Sequence, residues 1–158
     1  MPALRLEDYL QEDLVLWDLP SLDKRPFIED LVARVVAVLP SLEGRELLDR
    51  LLEREAQQST GIGDGLALPH AFVHGLERTA LVVGRCSEGL DFDALDSKPV
   101  DLFFLLLSPP DARTVHLRLL ARLARIVSPE ETLVELRTSS GPAELFQMLL
   151  EQDARHVF

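Results

Sequence analysis

The chain has 158 residues, 47% of them hydrophobic and 27% charged, so it can bury a sizeable core and does not have the composition of a disordered protein. Its net charge of −11 disfavours nucleic acid as a partner, because phosphate backbones repel an acidic surface. The single cysteine, Cys86, excludes an internal disulfide and a cysteine-based zinc site. No apolar run approaches the roughly 20 residues that span a bilayer, and the N-terminus lacks a signal-peptide core. We therefore expect a cytoplasmic protein without membrane insertion, with one domain over residues 1–158 and its core at about 10–152.

The first third of the chain predicts a short strand followed by two helices. Residues 14–19 are mainly apolar and end at Pro20, which is typical of a short strand. Pro26 suits the first turn of a helix, and apolar residues then recur at helical spacing as far as Pro40. Ser41 is a candidate N-cap for the second helix, whose buried side carries leucines.

The middle of the chain predicts loops and strands. Residues 59–65 read Ser-Thr-Gly-Ile-Gly-Asp-Gly, which indicates a loop, and residues 66–72 and 79–86 are predicted strands. Residues 88–97 are acidic and rich in turn formers. The nearly continuous apolar run at 100–107 is typical of a strand buried on both faces.

The last third predicts three helices. One begins at 108–111 and runs to about residue 127, and two more cover 130–137 and 142–152, with Gly141 as the break between them. Strands and helices alternate, and helices also cluster at both ends of the chain. This order predicts an α/β fold, a single layered domain with a mixed β-sheet flanked by helices on both faces; the strand order stays open.

His70 follows the glycine-rich segment and is the first candidate for chemistry. A reversible phosphate carrier needs a neutral imidazole to attack, and its other ring nitrogen must be held by an acceptor. Glycines let the backbone approach an anion, and successive N–H groups can form an anion-binding nest. Pro69 stiffens the chain immediately before the histidine. A glycine loop is usually only a loop, however, and a lone histidine is usually structural, so these residues alone leave both interpretations open.

His116 and Arg54 are further candidates. Positions 116, 120, 123 and 127 share one helical face, so His116 is predicted to point inward; it either bonds locally at a helix start or donates a hydrogen bond to a phosphate oxygen. Arg54 ends the second helix, where it either satisfies the helix dipole or reaches a phosphate.

Three other patterns favour structural interpretations. His70 and His74 have zinc-site spacing only on a helix; along a strand they would lie about 13 Å apart, so no metal is expected. The arginines between 113 and 125 predict a solvated basic face, which could dock an acidic partner, and not a membrane anchor. Cys86 is predicted to lie in a strand core.

Three motifs follow one another along the chain. The first joins a helix ending in Arg-Glu to a Pro-His pair, and its residues are Arg54, Glu55, Ser59, Thr60, Gly63, Gly65, Ala67, Pro69 and His70. The second is the acidic stretch 92–101, and the third is the apolar strand, proline loop and His-Leu-x-x-Leu-Ala helix of 102–121. In this order the motifs resemble the type 2 enzyme IIA domain of the bacterial phosphotransferase system, of the fructose–mannitol type including its nitrogen-regulatory branch. The resemblance covers nearly the whole chain.

The resemblance implies that His70 is the phosphorylated nucleophile, that His116 stabilises the phosphate and that Arg54 contacts it. It also implies a phosphate loop, made of Ser59, Thr60, Gly63, Gly65 and Pro69. The donor would be a histidine phosphocarrier protein, charged from phosphoenolpyruvate by enzyme I. No metal or organic cofactor would be needed, since such a site supplies positioning and electrostatic stabilisation.

The resemblance leaves three functions open. The absence of attached permease domains favours a stand-alone nitrogen-regulatory protein that acts on a regulated kinase or transporter. The alternatives are a component that passes phosphate to the enzyme IIB domain of a fructose- or mannitol-type sugar permease, and a binding regulator independent of phosphorylation. Phe72, where the family often has a basic residue, and His74, which is outside the motif, bear on which partners dock around His70.

Overall fold

A computed structural model describes residues 4–156, and within that range the chain forms six strands and five α-helices. The terminal residues 1–3 and 157–158 of the expected domain lie outside the described part. Two 3-10 helices, Leu6–Asp8 and Glu12–Leu14, precede the first strand. The strands are β1 Val15–Leu16, β2 Gly61–Gly63, β3 Leu66–Ala67, β4 His70–Phe72, β5 Ala80–Leu90 and β6 Val100–Ser108. The α-helices are α1 Lys24–Val38, α2 Gly44–Gln57, α3 Arg113–Val127, α4 Glu130–Arg137 and α5 Pro142–Ala154.

The sheet is built around β6, which is buried at every position except the half-buried Asp101. β5 pairs antiparallel with one edge of β6, and β3 and β4 pair parallel with the other edge. β1 adds parallel to β5 and β2 adds antiparallel to β3, which gives the order β1-β5-β6-β3-β2. This mixed sheet with its flanking helices confirms the predicted α/β architecture and supplies the strand order.

The predicted strand 66–72 is interrupted at Leu68 and Pro69, although the pairing with β6 keeps one register. Leu66 lies opposite Leu102 before the break, and His70 lies opposite Leu106 after it. Proline has no N–H to give to a sheet, so the ladder cannot run through this point unbroken. The parallel pairing places His70 beside the C-terminal end of β6, from which the chain continues into α3.

Three other predictions about strands differ from the structure in where a strand begins or ends. The segment 59–65 is not only a loop, because β2 lies within it and forms a hairpin with β3. The first strand shrinks from 14–19 to Val15–Leu16, since Asp18 adopts a left-handed φ of 55° that turns the chain out of the sheet. In contrast, β5 extends past the predicted end at residue 86, with an irregularity in its pairing between Arg85 and Leu90.

Two helix starts also differ from the prediction. α2 begins at Gly44, and its N-cap is Glu43, whose carboxylate accepts a hydrogen bond from the backbone N–H of Glu46; Ser41 lies outside the helix. α3 begins at Arg113, several residues late, because Ser108 still pairs within the sheet. α5 starts as predicted, directly after Gly141.

The core joins the helices to the sheet. Phe27 of α1 stacks on Phe103 of β6 with ring centroids 4.6 Å apart, and Phe92 packs edge-on against both rings. Cys86 is buried in β5 as predicted, and this burial raises the pKa of its thiol, as expected for an inert core residue. α2 packs against β4 and α3 against β6, so both helices reach the neighbourhood of His70. Within residues 4–156, no helix combines the length and the apolar composition that crossing a bilayer requires.

Candidate functional site

His70 opens β4 and is half-buried, with each ring nitrogen engaged differently. Its Nδ1 lies 2.9 Å from the carbonyl oxygen of Leu68, two residues earlier. A carbonyl oxygen can only accept, so Nδ1 carries the proton and donates it. The lone pair of the neutral ring is therefore on Nε2, and the interruption before Pro69 is what turns the Leu68 carbonyl toward the ring.

Arg54 faces His70 from the last turn of α2. Its Nε donates to Nε2 of His70 over 3.3 Å, and its Nη1 donates to the carbonyl oxygen of Gln58 at 2.9 Å. One guanidinium thus bonds a carbonyl oxygen at the end of the helix and also reaches the histidine; its contact with a phosphate stays a prediction. The bond to Nε2 is long, and it places a permanent positive charge beside the unprotonated nitrogen.

His116, in the first turn of α3, is the second imidazole of the site. Its side chain points inward as predicted, and only 1% of its surface is exposed. The ring centroids of His70 and His116 are 5.5 Å apart, in an edge-on arrangement. Burial, with a smaller contribution from nearby His70, lowers the pKa of His116 to about 4, so this ring is neutral at neutral pH.

The two nitrogens of His116 differ in their surroundings. Nδ1 lies 2.7 Å from the hydroxyl of Ser108, at the end of β6. Nε2 is buried, and among residues 4–156 it has no hydrogen-bond partner. Buried polar atoms in proteins are rarely left without a partner, so an unpaired one beside a candidate nucleophile indicates a place for a ligand atom.

Phe72 covers His116 from the β4 side. Their ring centroids are 4.4 Å apart and the ring planes are tilted by 34°. Phe72 thus places an apolar ring over His116 that helps to keep water from it. The sequence marked Phe72 only as a departure, and its contact with a residue 44 positions later had no local signal.

Glu55 follows Arg54 but points to the other side of the helix end. Its carboxylate forms an ion pair with Lys24 of α1 at 2.8 Å, and it accepts from both the backbone N–H and the hydroxyl of Thr60. Ser59 donates to the carbonyl oxygen of Phe92 at 2.8 Å. Arg54 therefore contacts the candidate nucleophile, whereas Glu55 holds Thr60, the residue before the β2–β3 hairpin, in place.

Two glycines allow the tight turn between β2 and β3. Gly63 and Gly65 have φ of 108° and 78°, which is left-handed backbone that glycine tolerates. Between them, the N–H of Asp64 donates to Asp96 at 3.0 Å and the carbonyl oxygen of Asp64 accepts from Arg137. This turn does not line the groove that opens beside His70, and its contact with a phosphate stays a prediction.

A groove of about 450 Å³ opens beside His70 and is the natural approach to Nε2. His74 lies at this groove, where its Nδ1 contacts the Glu46 carboxylate at 2.8 Å and its backbone N–H donates to the same group. These bonds lower the pKa of Glu46 and fasten the chain after β4 to α2. Within residues 4–156, no group of three or more His, Cys, Asp or Glu side chains is arranged to hold a metal ion. The groove is lined by Arg50, Glu53, Arg54, Gln57, His70, Ala71, Phe72, His74 and Pro110.

The arginine-rich face of α3 is only partly solvated, which corrects the prediction of a fully solvated basic face. Arg122 is largely buried and pairs with Asp153 of α5 at 2.5 Å. Asp153 in turn accepts from the backbone N–H of Leu6, so this pair joins both ends of the chain to α3. Arg125 remains exposed.

The site thus combines an unprotonated nitrogen at a groove, a guanidinium beside it and a neutral buried imidazole behind it. Such a set suits attack on an electrophile that carries negative charge, because the cation and a ring N–H can stabilise anionic oxygens. Sequence reasoning missed the hydroxyls of Thr79 and Ser108, which lie next to His116. Each lies at the end of a mainly apolar stretch, Thr79 before Ala80–Val83 and Ser108 after Leu102–Leu107, and that polarity was the available signal.

Comparison with known proteins identifies the family of the chain. The family model described as "Phosphoenolpyruvate-dependent sugar phosphotransferase system, EIIA 2" matches residues 8–152. A protein named "Nitrogen regulatory protein" from Pseudomonas aeruginosa is 32% identical over 148 residues, covering 94% of this chain and 96% of that protein. A "PTS system fructose-specific EIIA component" from Haloferax volcanii is 32% identical, covering 88% and 90% respectively.

A solved structure extends the similarity to three dimensions. The crystal structure of nitrogen regulatory protein IIA-Ntr from Neisseria meningitidis superimposes with a TM-score of 0.82 at 31% identity, covering 90% of this chain and 97% of that one. The fold, the range matched by the family model, and the identity to relatives over nearly their whole length all indicate the same family. The chain therefore belongs to the type 2 enzyme IIA family of the phosphoenolpyruvate-dependent phosphotransferase system, and it is a phosphoryl carrier of that system.

Proposed function

We propose that His70 carries the phosphoryl group on Nε2. The observation that supports this assignment most strongly is the 2.9 Å contact between Nδ1 and the Leu68 carbonyl oxygen, which leaves the lone pair on Nε2. Nε2 also faces the groove side of the ring, where Arg54 contacts it. No proton has to leave before attack, because the neutral ring is already the nucleophile.

The transfer step is a displacement at phosphorus. The Nε2 lone pair of His70 forms the new N–P bond while the N–P bond of the donor phosphohistidine breaks, and that bonding pair returns to the donor nitrogen. The proton on Nδ1 of His70 stays in its bond to Leu68. Arg54 exchanges its bond to Nε2 for the incoming phosphoryl oxygens, and the unpaired Nε2 of His116 lies close enough to His70 to meet one of them.

We propose further that the phosphoryl donor is a histidine phosphocarrier of the nitrogen-regulatory branch and that the chain acts on a regulated kinase or transporter. The similarity to proteins named nitrogen regulatory protein, over nearly the full length of both chains, supports this branch. The second candidate is transfer to the enzyme IIB domain of a sugar permease, which the equal identity to a fructose-specific component favours.

Intact-mass measurement tests the carrier residue. The protein is incubated with phosphoenolpyruvate, enzyme I and a histidine phosphocarrier, and an acid-labile gain of one phosphoryl group is expected. His70→Ala should take up none, whereas His74→Ala, a matched control at an exposed histidine of the same groove, should be phosphorylated as usual. Phosphorylation of His70→Ala would contradict the assignment.

Three further measurements refine the proposal. Nitrogen-15 NMR of the phosphorylated protein should place the phosphoryl group on Nε2 with Nδ1 still protonated; a phosphoryl group on Nδ1 would exclude the proposed geometry. Comparing kcat/KM for a nitrogen-branch and a sugar-branch phosphocarrier decides between the two donors. Onward transfer to a purified enzyme IIB domain would favour the sugar-permease function.

A further inference from the structure

Three buried polar groups form a chain that ends at the site. The hydroxyl of Thr79 lies 2.8 Å from the hydroxyl of Ser108, which lies 2.7 Å from Nδ1 of His116. All three residues are at most 3% exposed. Thr79 directly precedes β5, Ser108 ends β6 and His116 lies in α3, so the sheet and the following helix bring these groups together.

The direction of the hydrogen bonds in this chain decides which nitrogen of His116 carries its proton. In one direction, Thr79 donates to Ser108 and Ser108 donates to Nδ1, so the proton of the neutral ring is on Nε2. In the other direction, Nδ1–H donates to Ser108 and Ser108 donates to Thr79. The hydroxyl hydrogen of Thr79 then needs another acceptor, and none is present for it among residues 4–156. A buried donor without an acceptor is costly, so the first direction is favoured.

The favoured direction also has a chemical use. It leaves an N–H at Nε2, the nitrogen without a partner in the described part of the chain, and the His116 ring lies 5.5 Å from that of His70. A phosphoryl oxygen accepts hydrogen bonds, so it is stabilised by an N–H and repelled by a lone pair. Because His116 is neutral, it has one N–H, and the placement of that hydrogen decides whether the ring stabilises or opposes the transfer.

We propose that Ser108 is a positioning residue: it accepts a hydrogen bond from Thr79 and donates one to Nδ1 of His116, and so holds the proton of His116 on Nε2, where it meets the phosphoryl group. This inference rests on the proposed function of His70. It assigns a role to two hydroxyls that touch neither His70 nor the groove. The proton of His116 does not move during transfer; it stays on Nε2 in the free and the phosphorylated protein.

The tautomer of His116 is measured directly by nitrogen-15 NMR, because the two ring nitrogens of a neutral imidazole have well-separated shifts. In the unphosphorylated wild-type protein at neutral pH, we expect a protonated Nε2 and an unprotonated Nδ1. In Ser108→Ala, Nδ1 loses its hydrogen-bond donor, and the ring should become a mixture of the two tautomers. In Thr79→Val, the Ser108 hydroxyl is left with Nδ1 as its acceptor, so the wild-type tautomer should be kept. Ser108→Thr, which keeps the hydroxyl, should also keep the wild-type tautomer.

The rate of phosphoryl transfer to His70 provides the second readout. Ser108→Ala should lower it on the order of 10-fold or more, since one misplaced donor at such a site costs 10²-fold or more when it is lost completely. Ser108→Thr, which keeps the hydroxyl, should be close to wild type. Ser139→Ala, a matched control that removes another buried serine hydroxyl, one that bonds a carbonyl in α4, should also leave the rate unchanged.

The outcomes separate the two proposals. A wild-type His116 protonated on Nδ1, or a tautomer unchanged in Ser108→Ala, would overturn the positioning role. A tautomer that changes while the transfer rate does not would also overturn it. A wild-type protein with the Nε2–H tautomer that accepts no phosphate would instead contradict the proposed function of His70, because the NMR measurement does not require transfer.

Discussion

Arg54 donates from Nε to Nε2 of His70 over 3.3 Å, and from Nη1 to the carbonyl oxygen of Gln58 at 2.9 Å. The second bond holds the guanidinium in place while the first can be exchanged for a phosphoryl oxygen. The cation is thus positioned before the phosphate arrives, so little reorganisation accompanies the transfer.

We expect Arg54→Ala to lower the rate of phosphoryl transfer to His70 by about 10²-fold, the effect of removing one preorganised donor. The transfer rate of Arg54→Lys should lie between those of the wild type and Arg54→Ala, because an ammonium group keeps the charge but cannot reproduce the bidentate geometry of guanidinium. Arg50→Ala is the matched control: this groove residue is about half exposed and pairs with Glu53 at 3.5 Å. Rapid-quench kinetics measure the rate, and equal losses in Arg50→Ala and Arg54→Ala would contradict a specific role for Arg54.

The buried His116 predicts a pH dependence of stability. Its pKa is lowered from 6.5 to about 4, chiefly by burial, so between these values the unfolded chain binds a proton that the folded protein does not. The free energy of unfolding should therefore fall as the pH is lowered from 6.5 to 4, by roughly 3 kcal/mol at about 1.4 kcal/mol per pKa unit. Urea denaturation across this range measures the slope.

His116→Gln is the comparison for that experiment, since it removes the titrating ring and leaves the other three histidines in place. The variant should show a shallower pH dependence between 4 and 6.5, whatever its stability at neutral pH. Identical slopes in the two proteins would show that His116 titrates normally and is not shielded from water.

Glu55→Gln should destabilise the protein, because it leaves the Lys24 ammonium without its partner at 2.8 Å and weakens the hold on Thr60. We expect a loss of about 2 kcal/mol, less than for a fully buried pair because Lys24 is partly exposed and also contacts Asp93. Glu53→Gln, an exposed change two residues earlier, should stay within about 0.5 kcal/mol. Chemical denaturation measures both, and similar losses would exclude the anchoring role.

Gly65→Ala tests the role of the hairpin glycines. The backbone there has a φ of 78°, and an added Cβ would lie 2.6 Å from Asp101 and collide with Arg137. We expect a loss of at least about 1–2 kcal/mol in the free energy of unfolding. The rate of phosphorylation per folded molecule should be nearly unchanged, because this turn does not line the groove.

Gly44→Ala provides the control for that experiment, since its added Cβ would lie at an ordinary 3.7 Å from Val36 and alanine favours a helix. Its stability should be equal to or slightly above that of the wild type. A large loss of transfer rate in folded Gly65→Ala, with stability retained, would support instead the direct phosphate contact that the sequence motif implied.

Much of the fold could be predicted because its signals are local. The apolar run at 100–107 identified β6, and helical spacing identified α1 and the last three helices within a few residues. The failures have two sources. The N-cap of α2 moved from Ser41 to Glu43, a local choice between neighbouring candidates. β5 continued into a segment whose acidic composition predicted turns, because that segment pairs again with β6 at Val100.

The sequence alone determined the family, the candidate nucleophile His70 and the inward orientation of His116, because these depend on ordered motifs and on periodicity along one helix. Only the tertiary structure decided which groups meet. The parallel pairing of β4 with β6 sets His70 near the start of α3, and the antiparallel pairing of β5 with β6 brings Thr79 to Ser108. These contacts join residues up to 46 positions apart, and no local pattern encodes them, because sheet pairing and helix packing depend on how the whole core closes.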